Sequence, residues 1–172
     1  MGGARVYGWA SSPGLAIRQG VSGVLSDEHQ ILNLLYSYCE LQDAADFAGV
    51  AEIFRHSGYR VHNGEEHFGY DEVHALKTAH DKVYDDQTLR TKHVMTNTII
   101  ELDPDGTSAR TRSYFTVYQA TPQLPLQCVI AGRYHDVLEK VEGAWRFRDR
   151  YIIGDLLGDL SQHLRDNPLG ER

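Results

Sequence analysis

Between residues 26 and 42, apolar side chains recur every three or four positions, as they do along one face of an α-helix. This stripe consists of Ile31, Leu34, Leu35 and Tyr38. Ser26 precedes it as a suitable N-cap, and acidic residues follow in the first turn, where the helix dipole favours negative charge. The pattern predicts a first helix over SDEHQILNLLYSYCELQ.

Shorter patterns follow this helix. Asp46 can cap a second, short helix, whose inward residues would be Phe47, Val50, Ala51 and Phe54. The segment YRVHNGEEHFGY predicts two short strands around Asn63-Gly64, a dipeptide suited to tight hairpin turns. A third helix is predicted from an Asp71 cap through VHALKTAHDKVY, with Val83 among its inward residues.

From residue 88 onward the hydrophobic period changes to two, which is typical of strands. KHVMTNTIIEL and ARTRSYFTVYQA form one predicted hairpin, LQCVIAGRYHDVLEKV and AWRFRDRYIIG form another, and DLLGDLSQHLR predicts a short final helix. Helices followed by long antiparallel strands indicate an α+β fold with the helices on one face of a curved sheet. We expect an irregular arm over residues 1–25, a single domain over 26–165 and a tail over 166–172.

Composition narrows the classes of partner. A chain of 172 residues is long enough to bury one hydrophobic core. Its net charge is -7 and it has no Lys/Arg cluster, which argues against nucleic acid as a binding partner. The sequence has no apolar run of about 18 residues and no signal-peptide pattern, so we expect no membrane association. Two cysteines without paired spacing favour a reducing cytoplasm.

The stretch TLRTKHVMTN carries polar side chains on one predicted strand face, because strand alternation puts His93, Met95 and Asn97 on the same side. Such a face can line a pocket. A lone strand histidine is more often a hydrogen-bonded structural residue, and an aspartate between helices, such as Asp43, is more often a cap. The nine histidines match no zinc-binding spacing, so we predict neither a metal nor another cofactor.

Three segments together resemble the SnoaL-like proteins of the nuclear transport factor 2-like superfamily, which includes scytalone dehydratase. They are YCELQDAADFAGVAEIF, TLRTKHVMTN and AGRYHDVLEKVEGAWRFRDR, and the hairpin order agrees as well. The resemblance covers residues 26 to about 160. It implies a cone-shaped α+β barrel, in which a strongly curved antiparallel sheet wraps over three N-terminal helices and encloses an apolar cavity.

The resemblance also implies a histidine on the first long strand paired with an aspartate from the loop after the first helix. By motif match these are His93 and Asp43, and Tyr38 matches a tyrosine in the pattern of the related bile-acid 7α-dehydratases. Scytalone dehydratase uses a second histidine on the next strand, where this chain would place Tyr118 or Gln119. Scytalone itself is therefore not the expected substrate.

These features predict a cofactor-independent lyase that removes water by β-elimination from a small hydrophobic hydroxy-carbonyl molecule. His93 would take the proton, Asp43 would orient His93, and Tyr38 would donate a hydrogen bond to the substrate. The predicted substrate contacts are Asn97, Tyr114, Tyr118 and Arg150. The alternatives are a polyketide cyclase or isomerase with the same pocket, and a non-catalytic subunit resembling the small subunits of ring-hydroxylating dioxygenases.

The strand ARTRSYFTVYQA carries apolar residues on both faces. Only one face can cover the core of a single cone, so the other face would be left exposed to water. We therefore expect a homo-oligomer, either a dimer or a trimer.

Overall fold

A computed structural model describes residues 25–165 of the chain. Its helices are α1 (Asp27–Asp43), α2 (Phe47–Ile53) and α3 (Gly69–His80). Its strands are β1 (Gly58–Val61), β2 (Glu66–Phe68), β3 (Thr91–Leu102), β4 (Ser108–Gln119), β5 (Gln127–Val141) and β6 (Ala144–Leu157). The predicted N-terminal arm and tail lie almost entirely outside the described residues.

The first two helices begin where their capping residues predict. The Ser26 side chain accepts a hydrogen bond from the His29 amide at 3.3 Å, and Asp46 accepts one from the Gly49 amide at 2.9 Å. Each bond satisfies a backbone donor that has no partner inside the helix. The caps therefore determine the point at which α1 begins and the point at which the chain turns into α2.

The predicted bounds of the third helix are wrong at both ends. α3 starts at Gly69, before Asp71, and Glu72 rather than Asp71 accepts the free amide, that of Phe68, at 2.7 Å. The helix ends at His80 because Asp81 takes up extended backbone and pairs with the chain near its C-terminus. Val83 consequently lies beyond the helix and is partly exposed.

Six strands form one sheet in the order β2-β1-β6-β5-β4-β3. All neighbouring strands are antiparallel except β1 and β6, which are parallel. Register shifts interrupt the β3–β4, β4–β5 and β5–β6 pairings, and such bulges bend strands. The predicted α+β cone is confirmed, although its sheet stays open between β2 and β3 in the described residues.

The residues that face the core along β4 are the reverse of those predicted. Phe115 and Val117 are buried, whereas Tyr114 and Tyr118 are 54% and 42% exposed on the outer face. Alternation along a strand cannot tell which of two apolar sets is inward. Pairing with β3 decides it, because Val117 lies directly opposite His93.

The predicted final helix is also wrong. β6 continues to Leu157, paired with Ile130, and takes up the first residues of that segment. The chain then forms a turn that ends in a bridge between Leu164 and Asp81. We call residues 158–165 the C-terminal strap. Among residues 25–165, no helix is both long enough and apolar enough to cross a membrane.

Candidate active site

A cavity of about 440 Å³ lies between the helices and the concave face of the sheet. Most of the surface area that lines the cavity is apolar. The apolar lining residues include Leu76, Phe115, Val117, Ile130, Ile152 and Leu164. Its polar lining includes Tyr38, Gln42, Tyr59, Lys77, His80, Asp81, His93 and His163. The exposed residue Glu65, in the β1–β2 turn, marks one side of its mouth. An apolar cavity with a few convergent polar groups is typical of sites for small molecules.

The structure brings His93 of β3 and Asp43 from the end of α1 into direct contact. The Nδ1 atom of His93 lies 2.6 Å from Oδ1 of Asp43, and the His93 backbone amide donates to Oδ2 at 3.0 Å. The Thr91 hydroxyl donates to Oδ1 at 2.7 Å. Three donors from one strand thus hold the carboxylate, and both side chains of the pair are more than nine-tenths buried.

These contacts also determine the tautomer of His93. Burial would raise the pKa of Asp43, but the hydrogen bonds from His93 and Thr91 outweigh it and lower that pKa. An ionised carboxylate only accepts hydrogen bonds, so Nδ1 of His93 must carry the proton that points to Asp43. The lone pair of neutral His93 is then on Nε2, and His93 lines the cavity.

Two tyrosine hydroxyls meet in the same cavity. Tyr38, one turn before Gln42 on α1, lies with its hydroxyl oxygen 3.1 Å from that of Tyr59 on β1. Burial raises the pKa of Tyr38 far above its usual value, so its hydroxyl stays protonated at neutral pH. The pair therefore offers at least one O–H donor, and Tyr38 does not act as a base at neutral pH.

A buried ammonium group completes the polar lining. Lys77 on α3 is 8% exposed, and its Nζ lies 4.8 Å from the centre of the Tyr59 ring and 3.8 Å from Oδ2 of Asp81. Burial would lower the pKa of Lys77, but Tyr38, Tyr59 and Asp81 outweigh it and raise that pKa. The side chain therefore brings a positive charge to the cavity wall, where developing negative charge on a ligand would be stabilised.

Two predicted substrate contacts lie elsewhere than expected. Asn97 lies at the bulge of β3 with φ 54°, and its side chain is exposed and does not line the cavity. The prediction assumed that side chains alternate regularly between the two faces of β3, and the extra residue of the bulge shifts that alternation. Arg150 is fully buried beneath the cavity, where its guanidinium makes two hydrogen bonds to Asp136, at 2.8 and 2.9 Å. Its charge is thus already paired.

Tyr114 and Tyr118, the other two predicted contacts, lie on the outer face of β4 and do not line the cavity. Conversely, the cavity residues Lys77, Tyr59 and His163 were not predicted from the sequence. Lys77 and Asp81 have the i, i+4 spacing of an ordinary surface ion pair, which carries no sign of burial. Among residues 25–165, no three His, Cys, Asp or Glu side chains converge as metal ligands would.

Comparison with solved structures supports the fold. A variant of Rv3472, a protein of unknown function from Mycobacterium tuberculosis, is 26% identical, with TM-score 0.64 over 76% of this chain and 72% of that one. A candidate scytalone dehydratase from Novosphingobium aromaticivorans is 21% identical, with TM-score 0.63 over 84% and 94% of the two chains. ActVI-ORFA from Streptomyces coelicolor is 19% identical, with TM-score 0.61 over 74% and 96%.

A comparison with curated proteins gives no match. The model of the SnoaL-like domain family matches residues 23–151, which is most of the chain and includes all three helices and the His93–Asp43 pair. The chain therefore belongs to the SnoaL-like domain family.

Proposed function

We propose that this protein is a cofactor-independent lyase that removes water from a small hydrophobic hydroxy-carbonyl compound. The observation that carries the proposal is the His93–Asp43 pair, because it leaves an unprotonated imidazole nitrogen in a largely apolar cavity. A histidine oriented by a carboxylate is a suitable general base near neutral pH. A purely structural histidine would have no need to border a cavity of about 440 Å³.

In the proposed reaction, Nε2 of His93 removes a proton from the carbon next to the substrate carbonyl. The electron pair of that C–H bond moves toward the carbonyl, and Asp43 stabilises the imidazolium that results. The enolate oxygen accepts a hydrogen bond from the Tyr38–Tyr59 hydroxyl pair, and the charge of Lys77 stabilises it further. Collapse of the enolate expels the β-hydroxyl, which takes the proton back from His93 and leaves as water.

A β-hydroxy-tetralone is a suitable first substrate, because loss of water from it gives a fluorescent naphthol. General acid-base assistance contributes about 10²–10⁴-fold, so His93→Gln should lower kcat by at least about 100-fold. His135→Gln is the matched control, since His135 is exposed on the outer face of the sheet. Equal rates for wild type and His93→Gln would contradict the assignment of the base.

The cyclase or isomerase alternative uses the same cavity and predicts a different product. Mass spectrometry of the product distinguishes the reactions, since a cyclase or isomerase would leave the mass of its substrate unchanged. The third alternative, a non-catalytic subunit, has less support because the His93–Asp43 pair and two tyrosine hydroxyls lie around one cavity. Turnover by the isolated chain would exclude that alternative.

A further inference from the structure

Along the row of paired residues that contains His93, the neighbouring strands of the described sheet supply no polar side chain to the cavity. Val117 on β4 and Ile130 on β5 lie in one row with His93, and both are apolar. A second imidazole reaches the same region from the C-terminal strap. The ring of His163 lies 6.3 Å from the ring of His93, measured between centroids, and both line the cavity.

The side chain of His163 has the features of a group that awaits a ligand. It is 7% exposed, and within residues 25–165 its Nδ1 atom is buried without a hydrogen-bond partner. Buried polar atoms are nearly always hydrogen-bonded in folded proteins, and exceptions call for an explanation. Its position at the cavity provides one, because the ring can turn about its Cβ–Cγ bond and present a nitrogen to a bound molecule.

The strap is held firmly enough to present this ring. The Lys82 amide donates to the His163 carbonyl at 3.0 Å, which fixes the backbone at the histidine itself. One residue earlier, the carbonyl of Gln162 accepts from the Tyr84 hydroxyl at 2.7 Å and from the Gln119 side chain at 2.9 Å. These bonds link the strap to the segment before β3 and to β4.

We propose that His163 is a substrate-binding residue whose imidazole hydrogen-bonds an uncharged hydroxyl group of the ligand. The proposal rests on the function proposed above for the same cavity and specifies the substrate class as hydroxylated and neutral at that position. Neutral imidazole suits this role because it offers one donor and one acceptor, as a hydroxyl group does.

The surroundings of His163 favour its neutral form. Burial lowers the pKa of His163 to about 4, and the neighbouring His93 and Lys77 act in the same direction, whereas Asp81 and Asp43 oppose them. The ring therefore remains uncharged at neutral pH. A hydroxyl group is then a better match for it than a carboxylate, because a hydroxyl can donate to or accept from a neutral ring nitrogen, whereas a carboxylate can only accept.

The test compares 2-naphthol with naphthalene, which differ by a single hydroxyl group, and that group occupies the ring position of the β-hydroxyl of 3-hydroxy-1-tetralone rather than the position of its carbonyl. Histidine ring nitrogen NMR signals are recorded for the wild type, with His163 assigned through His163→Gln. Naphthol should shift the His163 signal clearly and naphthalene should not. Equal shifts with both probes, or no shift with naphthol, would overturn the proposal.

Binding affinities provide the second measurement. His163→Leu should weaken naphthol binding about 5- to 50-fold, as expected for one lost hydrogen bond, and leave naphthalene binding within about twofold. His163→Gln, which keeps polar atoms at that position, should recover part of the loss. An equal loss for both probes would mean that His163 only shapes the cavity, and would refute the hydroxyl contact.

A further variant separates this proposal from the proposed reaction. In His93→Gln the preference for naphthol over naphthalene should persist, because it depends on His163, while dehydration should fall. Unchanged dehydration with a persistent preference would refute the role of His93 alone. If His93→Gln lowers the dehydration rate as expected but the wild type does not prefer naphthol to naphthalene, only the role of His163 is refuted.

Discussion

The replacement Asp43→Asn tests how much the fold depends on the carboxylate at the end of α1. Asp43 accepts hydrogen bonds from the Thr91 hydroxyl, the His93 ring and the His93 amide. An asparagine keeps one acceptor oxygen for these three donors and turns its NH₂ group toward the rest. One hydrogen bond to a charged group contributes about 1.5–3 kcal/mol, so losing one or two should lower the free energy of unfolding by about 3 kcal/mol near neutral pH.

The loss should depend on pH. Because the pKa of Asp43 is lowered in the folded protein, its carboxylate stabilises the fold above the unfolded value of about 3.9, and this stabilisation is lost as the pH falls through the folded value. The difference between wild type and Asp43→Asn should therefore be largest near neutral pH and shrink in acid. Urea unfolding followed by circular dichroism at a series of pH values measures it.

Asp46→Asn is the matched control, since Asp46 is an exposed acid in the same loop and asparagine caps a helix equally well. We expect it to change stability by less than about 0.5 kcal/mol. A loss below about 1 kcal/mol for Asp43→Asn, or one that does not change with pH, would refute the reasoning. The first result would mean that the three donors find other partners without the charge, and the second would mean that ionisation of Asp43 does not cause the loss.

Two further predictions concern the core and the outer face. Arg150→Met should destabilise the fold by about 3–5 kcal/mol, because it leaves Asp136 buried and unpaired, whereas adding Asp136→Leu should recover part of this loss in the same urea assay. We also propose a homo-oligomer that covers the exposed Tyr118 and Leu156 on the outer face. The double variant Tyr118→Lys, Leu156→Lys should then have a lower mass than the wild type in sedimentation. The control Leu126→Lys, a change in the β4–β5 loop, should not lower it. A wild type that sediments as a monomer would refute the oligomer.

The sequence alone predicted the features that depend on neighbouring residues. The Ser26 and Asp46 caps, the Asn63-Gly64 turn and the two long hairpins are determined by contacts within a few positions of the chain, and the structure confirms them. The pairing of His93 with Asp43 came from the family resemblance, since nothing in local spacing connects residues so far apart. The chain brings them together through the packing of α1 against β3.

Tertiary structure decided which side chains face the cavity. Both faces of β4 carry apolar residues, and strand pairing places Val117 inward and Tyr118 outward. The bulge at Asn97 changed the alternation that its neighbours implied. His163 joins His93 because the strap crosses back over the cavity. The inward face of a strand, the register of strand pairing and the contact of the C-terminal strap with the cavity all depend on elements distant in sequence. They are therefore properties of the packed molecule rather than of any local segment.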